Sequence, residues 1–468
     1  MRFGRAGKVV AVVLLLLAAG VAVAVVYTKN TRGATTSSGE ALQAFRQGLE
    51  NERRFYFKEA RLDFARALQL DPQFAMAMIG LARNSDREQQ IALTRRASRE
   101  RDHLTEHERL HVDMQQAMID MNQKRYVETA AKIHEKYPSD IRAAMVLARN
   151  QIDTGDPDQA FRIFGELLAV EPNNADAYNQ IGYYYGYRGD YDRAMENIKK
   201  YQFMAPDQAN PYDSLGEIQA YSGRYDEAIA NCRKALALKP DFFESFNHLG
   251  VAYEGKGDVS AAVENYLRAS QEASYETSRI DPLMRAFRVA IVAGNVPLAK
   301  QVFQKMAGMP HDKSLDEQFE IGRALTTAVL AGEEGRLEDA EKGILAVRPR
   351  WEAVALKQLK GTTRKAYWGT WNFMLARYRM KAGKFDEALP LLQEMANPPN
   401  RWSDFESRRW VYEGRSLLAE VLARKGDLDG ADKLLAENHK WNPSWAPSRT
   451  SEVAVAQMHR EKVQAASR

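Results

Sequence analysis

Small, apolar and turn-forming residues recur along the middle of the chain at one fixed interval. Ala160, Ala194, Ala228 and Ala262 stand 34 residues apart, Gly182, Gly216 and Gly250 keep the same step, and so do Pro172, Pro206 and Pro240. Within one period the apolar positions fall at helical spacing: Tyr178, Ile181, Gly182 and Tyr185, then Ala194 and Ile198, then Pro206. Phe246, Leu249, Gly250, Tyr253, Ala262 and Tyr266 repeat that order. This predicts two helices per period, the second ended by a proline that cannot continue it. Glycine and alanine mark where paired helices approach too closely for a larger side chain, and the aromatic rings fill the space beside them. One pair cannot bury its apolar face alone, so its neighbours must cover it and the pairs stack.

That order of aromatic, Leu-Gly, Tyr, Ala, aromatic and Pro positions resembles the tetratricopeptide repeat family. The resemblance is strong over residues 141–276 and looser elsewhere. It implies an all-α fold, a right-handed α-solenoid of helix-turn-helix repeats expected over residues 39–446, with residues 447–468 as a terminal capping helix. Gly48, Ala60, Phe64, Ala67 and Pro72 fit a first unit, and Thr105 followed by Glu108 has the form of a capping box that starts a third. Beyond the regular block, Ala299 with Phe303, Ala340 with Ile344, Ala388 with Leu392 and Ala431 with Leu435 mark irregular units. Repeat arithmetic gives about ten or eleven helix pairs.

The N-terminus has a different pattern. After a short basic stretch, residues 1–8 with Arg2, Arg5 and Lys8, residues 9–26 carry no charged or strongly polar side chain. As a helix they would reach roughly 27 Å, nearly the thickness of a bilayer core. Residues 9–27 are therefore expected to be a transmembrane anchor or uncleaved signal. Ala22-Val23-Ala24 is a plausible cleavage site, which makes secretion after cleavage the alternative. Both readings place the array in the periplasm or otherwise outside the cytoplasm, as in a membrane-anchored bacterial protein of this family. Residues 28–38, rich in Thr and Ser, read as a flexible linker.

Composition narrows the partners. A net charge of +4 with 27% charged residues describes a mixed, solvated surface rather than the basic field that nucleic acid requires. The single cysteine, Cys232, falls at an inward-facing phase and reads as a small core residue. No cofactor is expected. All seven tryptophans, Trp351, Trp368, Trp371, Trp402, Trp410, Trp441 and Trp445, lie in the last third, where they read as packing for irregular repeats, with a second partner surface as the alternative.

Two stretches resemble catalytic or metal motifs. His107-Glu108-Arg109-Leu110-His111 matches His-Glu-x-x-His, which in zinc peptidases supplies two metal ligands and a general base. Here it opens a repeat helix, Arg109 occupies a position those enzymes keep uncharged, and Glu128 is the nearest plausible third ligand. The expected role is an exposed helix start, and a metallopeptidase using His107, Glu108 and His111 is the alternative. Asp427-Leu428-Asp429-Gly430 hints at a calcium loop but lacks the remaining ligands and reads as a repeat turn.

The resemblance also implies where a ligand binds. In the family the first helix of each pair lines an inner groove, and that phase carries onto Arg149, Asn179, Tyr183, Tyr187, Asp213, Glu217, Tyr221, Asn247 and His248. The tyrosines can bury area against a peptide and the amides can pair with its backbone, while the acidic residues favour a basic or neutral segment. The lysine and arginine clamp by which some members hold a terminal carboxylate is missing. The sequence thus reads as a non-enzymatic scaffold or assembly adaptor, tethered to a membrane and capable of homo-oligomer formation. A sensing or regulatory module working with a separate kinase or transcription regulator is the alternative.

Overall fold

A computed structural model describes residues 34–154, 156–273, 276–309, 316–358, 368–397 and 405–466. The apolar segment 9–26 and the linker as far as residue 33 lie outside the described residues. Among those described, no helix is long and apolar enough to cross a membrane. The chain forms 23 described α-helices and divides into two compact units, residues 1–143 and 144–468.

In the first unit α1 (Gly39–Arg53), α2 (Phe57–Leu70), α3 (Ala75–Arg83), α4 (Arg87–Arg99), α5 (Glu106–Ile119) and α6 (Gln123–Lys136) follow one another as antiparallel pairs. Phe64 on α2 shows why the pattern needs glycine. A methyl group built at Gly48 or at Gly80 would lie 2.7 Å from its ring, so the aromatic fills the space both glycines leave. The last residues of the expected linker are engaged. Thr35 gives its backbone N–H and its hydroxyl to Glu108, each at 2.5 Å, and Thr36 bonds Asp71 at 2.5 Å. The helix α7 (Ile141–Thr154) spans the division between the units.

The second unit contains the regular repeats: α8 (Pro157–Val170), α9 (Ala175–Tyr187), α10 (Tyr191–Met204), α11 (Asn210–Tyr221), α12 (Tyr225–Leu238), α13 (Phe243–Lys256), α14 (Val259–Glu272) and α15 (Glu276–Val292). Ala160, Ala194, Ala228 and Ala262 are buried, as the period predicts, and so is Cys232. Asp156, Asp190 and Asp258 cap α8, α10 and α14 by accepting a backbone N–H from the third helical residue. Gly189, Gly223 and Gly257 close three successive turns with φ of 78°, 83° and 86°, a left-handed backbone that side chains with a Cβ resist. They stand at the 34-residue step and were not among the periodic positions noted from sequence.

Irregular pairs follow: α16 (Val296–Ala307), α17 (Asp316–Glu333), α18 (Leu337–Gln358), α19 (Trp368–Lys381), α20 (Phe385–Ala396), α21 (Phe405–Arg424), α22 (Leu428–Trp441) and α23 (Arg449–Ala466). One core cluster runs from Ala194 to Trp445, and Val455 on α23 packs with Ala419, Ala423, Leu428 and Ala431 of α21 and α22. Trp371, Trp410 and Trp445 are buried in this unit. Within it the chain returns on itself. Residues 441–446 run along the three glycine turns, where a methyl at Gly189 would strike Trp441, at Gly223 would crowd Asn442 and Ser444, and at Gly257 would meet Ala446.

Candidate functional site

The residues expected to line a groove stand mainly on the first helices of three regular pairs. On α9 Asn179, Tyr183 and Tyr187 share a face at four-residue spacing, and on α11 Asp213, Glu217 and Tyr221 do the same one repeat later. Asn247 and His248 stand on α13, and Arg149 is exposed on α7.

Neighbouring helices link these side chains. The Tyr183 hydroxyl donates to Glu217 at 2.6 Å. His248 bonds Asp213 through Nδ1 at 2.9 Å and faces Glu217 through Nε2 at 3.5 Å, while the Ser245 hydroxyl donates to the same Asp213 oxygen at 2.7 Å. Burial works against a charged His248 ring, but Asp213 and Glu217 override it and hold the ring up at about 9. Both acids therefore have partners within the chain. Asn179 and Asn247 each keep a buried side-chain oxygen with no hydrogen-bond partner among the described residues.

Part of the predicted wall is covered by the chain's own α21. The Phe405 ring lies 4.5 Å from that of Tyr221 with 11° between planes, 4.9 Å from Tyr187 edge-on, and 6.2 Å from Tyr183. Gly186 makes room for it, since a methyl there would sit 2.9 Å from the ring. Arg408, buried one turn on, donates to Gly186 O at 2.9 Å and to the Tyr191 hydroxyl at 3.1 Å, with its guanidinium 4.1 Å over the Trp441 ring. Deeper, Arg288 of α15 joins Glu254 of α13 to Glu413 of α21, donating to Glu413 at 2.8 Å and also to Glu254. Burial opposes ionisation of Glu254, and Arg288 and Arg409 overcome it, keeping that carboxyl below its ordinary range. None of these contacts has a periodic signature, and sequence reading missed them.

Beside the covered stretch the same wall stays open. A pocket of about 360 Å³ is lined by Ile152, Pro157, Ala160, Phe161 and Phe164, by Gln180, Tyr183, Tyr184, Tyr187 and Arg188, and by Trp441 from α22. Aromatic faces dominate it, and the Arg188 charge is turned to Asp158.

The His-Glu-x-x-His stretch departs from expectation. It is not an exposed helix start: Glu108 and His111 are buried. Glu108 completes the capping box of α5, taking the Thr105 backbone N–H at 2.9 Å and hydroxyl at 2.8 Å besides its bonds to Thr35. The predicted third ligand, Glu128, is exposed and faces Lys124. His107 and His111 instead turn their Nε2 atoms to Asp140, at 2.9 and 2.8 Å. Asp427, in the sequence that hinted at calcium, accepts the Gly430 N–H and caps α22.

Stacked helix pairs define a helical repeat array, a class that in general mediates protein–protein interaction. A family profile described as "Tetratricopeptide repeat" matches residues 145–210, and one described as "TPR repeat" matches residues 216–257, so the regular block carries tetratricopeptide repeats. No curated protein matches the chain. Among solved structures it is similar to the APC/C hetero-tetramer Cut9-Hcn1 at 13% identity, over 89% of this chain and 76% of that one, with a TM-score of 0.49. It is similar to a tetratricopeptide repeat protein from Parabacteroides merdae at 14% identity, over 60% and 98%, with a TM-score of 0.38. For MamA the identity is 21% over 34% and 93%, with a TM-score of 0.28. At such identities no activity or partner is carried over.

Proposed function

We propose that the chain is a non-enzymatic scaffold or assembly adaptor that binds a neutral peptide segment of a partner protein along the inner wall of its regular repeats. The observation that carries this reading is Phe405: an aromatic side chain from a distant part of the chain is already seated among Tyr183, Tyr187 and Tyr221, the tyrosines expected to receive a ligand. The adjoining pocket offers a second aromatic seat. The segment is neutral rather than basic, because Asp213 and Glu217 are taken up by His248, Ser245 and Tyr183.

Selection of a random peptide display library on the full chain tests this. Enriched peptides should share an aromatic residue and no net charge, and should lose binding at least tenfold to Tyr184→Ala or Tyr187→Ala. They should keep it with Phe203→Ala, whose ring is exposed and does not line this pocket. Peptides that bind the Tyr187→Ala chain as tightly, or a library that yields none, would overturn the reading.

The apolar run 9–26 adds that the array is held at a membrane, outside the cytoplasm. The full chain should stay in the membrane fraction through an alkaline wash, and a chain lacking residues 1–33 should not. Equal release of both would remove the tether from the proposal.

A further inference from the structure

His107, His111 and Asp140 bring three ligand atoms together in the first unit. Placed one helical turn apart on α5, the two histidines present their rings on one face. Their Nε2 atoms are 3.2 Å apart, and both sit on the same oxygen, Asp140 Oδ2, at 2.9 and 2.8 Å. As hydrogen bonds these are crowded. Those three sides put the two donors at roughly 70° to each other at the oxygen, well inside the spread of its lone-pair directions. As metal ligands they fit. An ion about 2.0 to 2.2 Å from each atom would rest about 1 Å out of their plane.

The carboxylate is held for this role. Its other oxygen accepts the Ala143 N–H at 2.9 Å and so caps α7, which fixes where Oδ2 points. The Tyr137 ring packs 4.1 Å from that of His107 and restrains the rotation of that imidazole. The nearby Arg142 has a countercharge, Glu52 at 3.1 Å, which Arg83 also holds at 2.6 Å. His111 and Asp140 are nearly enclosed, but the His107 side chain is 32% exposed and leaves an approach from solvent.

We infer that His107, His111 and Asp140 form a binding site for a single divalent cation of the zinc class, one that clips α5 to the start of α7. Two imidazoles and one carboxylate are a ligand set that suits zinc over magnesium or calcium, which prefer oxygen. The site is structural. Glu108, which in a peptidase would activate water, spends both carboxylate oxygens on Thr35 and Thr105.

Titration of the untagged full chain with zinc chloride, and with cobalt(II) followed by its visible absorption, tests the site. The wild type should take up one equivalent at micromolar free zinc and melt at a higher temperature with zinc than with chelator. His107→Ala, which alters the most exposed ligand, and Asp140→Asn should each weaken uptake at least tenfold and abolish the zinc-dependent melting shift. His439→Ala and His459→Ala, each removing a histidine paired with one carboxylate, should leave both readouts unchanged. Circular dichroism verifies that each variant is folded, and His107→Ala decides the matter should Asp140→Asn not fold. Uptake below one equivalent in the wild type, or full uptake by folded His107→Ala, would overturn the inference.

Discussion

Phe405 and Tyr221 lie face to face, ring centroids 4.5 Å apart and planes 11° from parallel, although 184 residues separate them in the chain. With the contact to Tyr187, it seats a residue from beyond the regular repeats on the first helices of two of their pairs. Phe405→Ala should cost about 3 to 5 kcal/mol in urea unfolding, the range for removing a buried aromatic ring. Phe405→Leu should cost less, because it keeps part of the volume. An unshifted midpoint in Phe405→Ala would mean the ring is not held there in solution.

The buried cluster of Arg288, Glu254 and Glu413 makes an asymmetric prediction. Arg288→Met leaves two enclosed carboxylates facing Arg409 at 3.9 Å from each, and should destabilise by about 3 to 5 kcal/mol. Glu413→Gln should cost clearly less, since burial already pushes that carboxyl toward its neutral form. Equal losses in calorimetric unfolding would show that Arg288 holds Glu413 ionised despite its burial.

Stability should fall as pH rises toward 9. His248 is held at about 9 against an ordinary 6.5 by Asp213 and Glu217, overcoming burial and Arg285. A folded value above the unfolded one gives stabilisation that is complete below pH 6.5 and lost between 6.5 and 9. Burial raises Glu244 from 4.5 to about 8, with Asp213 and Asp241 adding to it against His248, so it acts in the same direction between 4.5 and 8. The contributions are at most on the order of 3 kcal/mol for His248 and 5 kcal/mol for Glu244. Melting curves of His248→Gln and Glu244→Gln from pH 5 to 9.5 should each be flatter than wild type in their own window.

At Gly216 a methyl group would lie 2.6 Å from Cys232 Sγ and 3.1 Å from Ala228 O. Gly216→Ala should therefore cost about 1 to 3 kcal/mol by overpacking, and Gly216→Trp more. Adding Cys232→Ala removes the nearer obstacle, so the double variant should be more stable than the sum of the single losses. Strict additivity in thermal unfolding would place the crossing elsewhere.

The repeats were legible because their information is local. Gly182, Ala194 and Pro206 each specify a close approach or a stop within one helix pair, and the next pair repeats it. The return of α21 was not legible, because Phe405 meets Tyr187 and Arg408 meets Gly186 across more than two hundred residues, with no period to flag the partners. The histidine cluster was half legible. Spacing put His107 and His111 on one face, but the motif pointed to Glu108, a cap, and away from Asp140, a cap on another helix 29 residues beyond His111. Phase put Asp213 and Glu217 on one face of α11, yet that both acids were already spoken for depended on His248, Ser245 and Tyr183, which only packing reveals.

Gly189, Gly223 and Gly257 have a consequence beyond their own turns. Because Trp441, Asn442, Ser444 and Ala446 are fitted to three turns in succession, the interval between turns is a gauge against which residues 441–446 are cut. Many repeat arrays tolerate gain or loss of a unit, since each unit touches only its neighbours. This one cannot drop or duplicate a unit between residues 175 and 256 without setting Trp441 opposite the wrong turn. Its repeat number in that block is fixed by the segment that reads it.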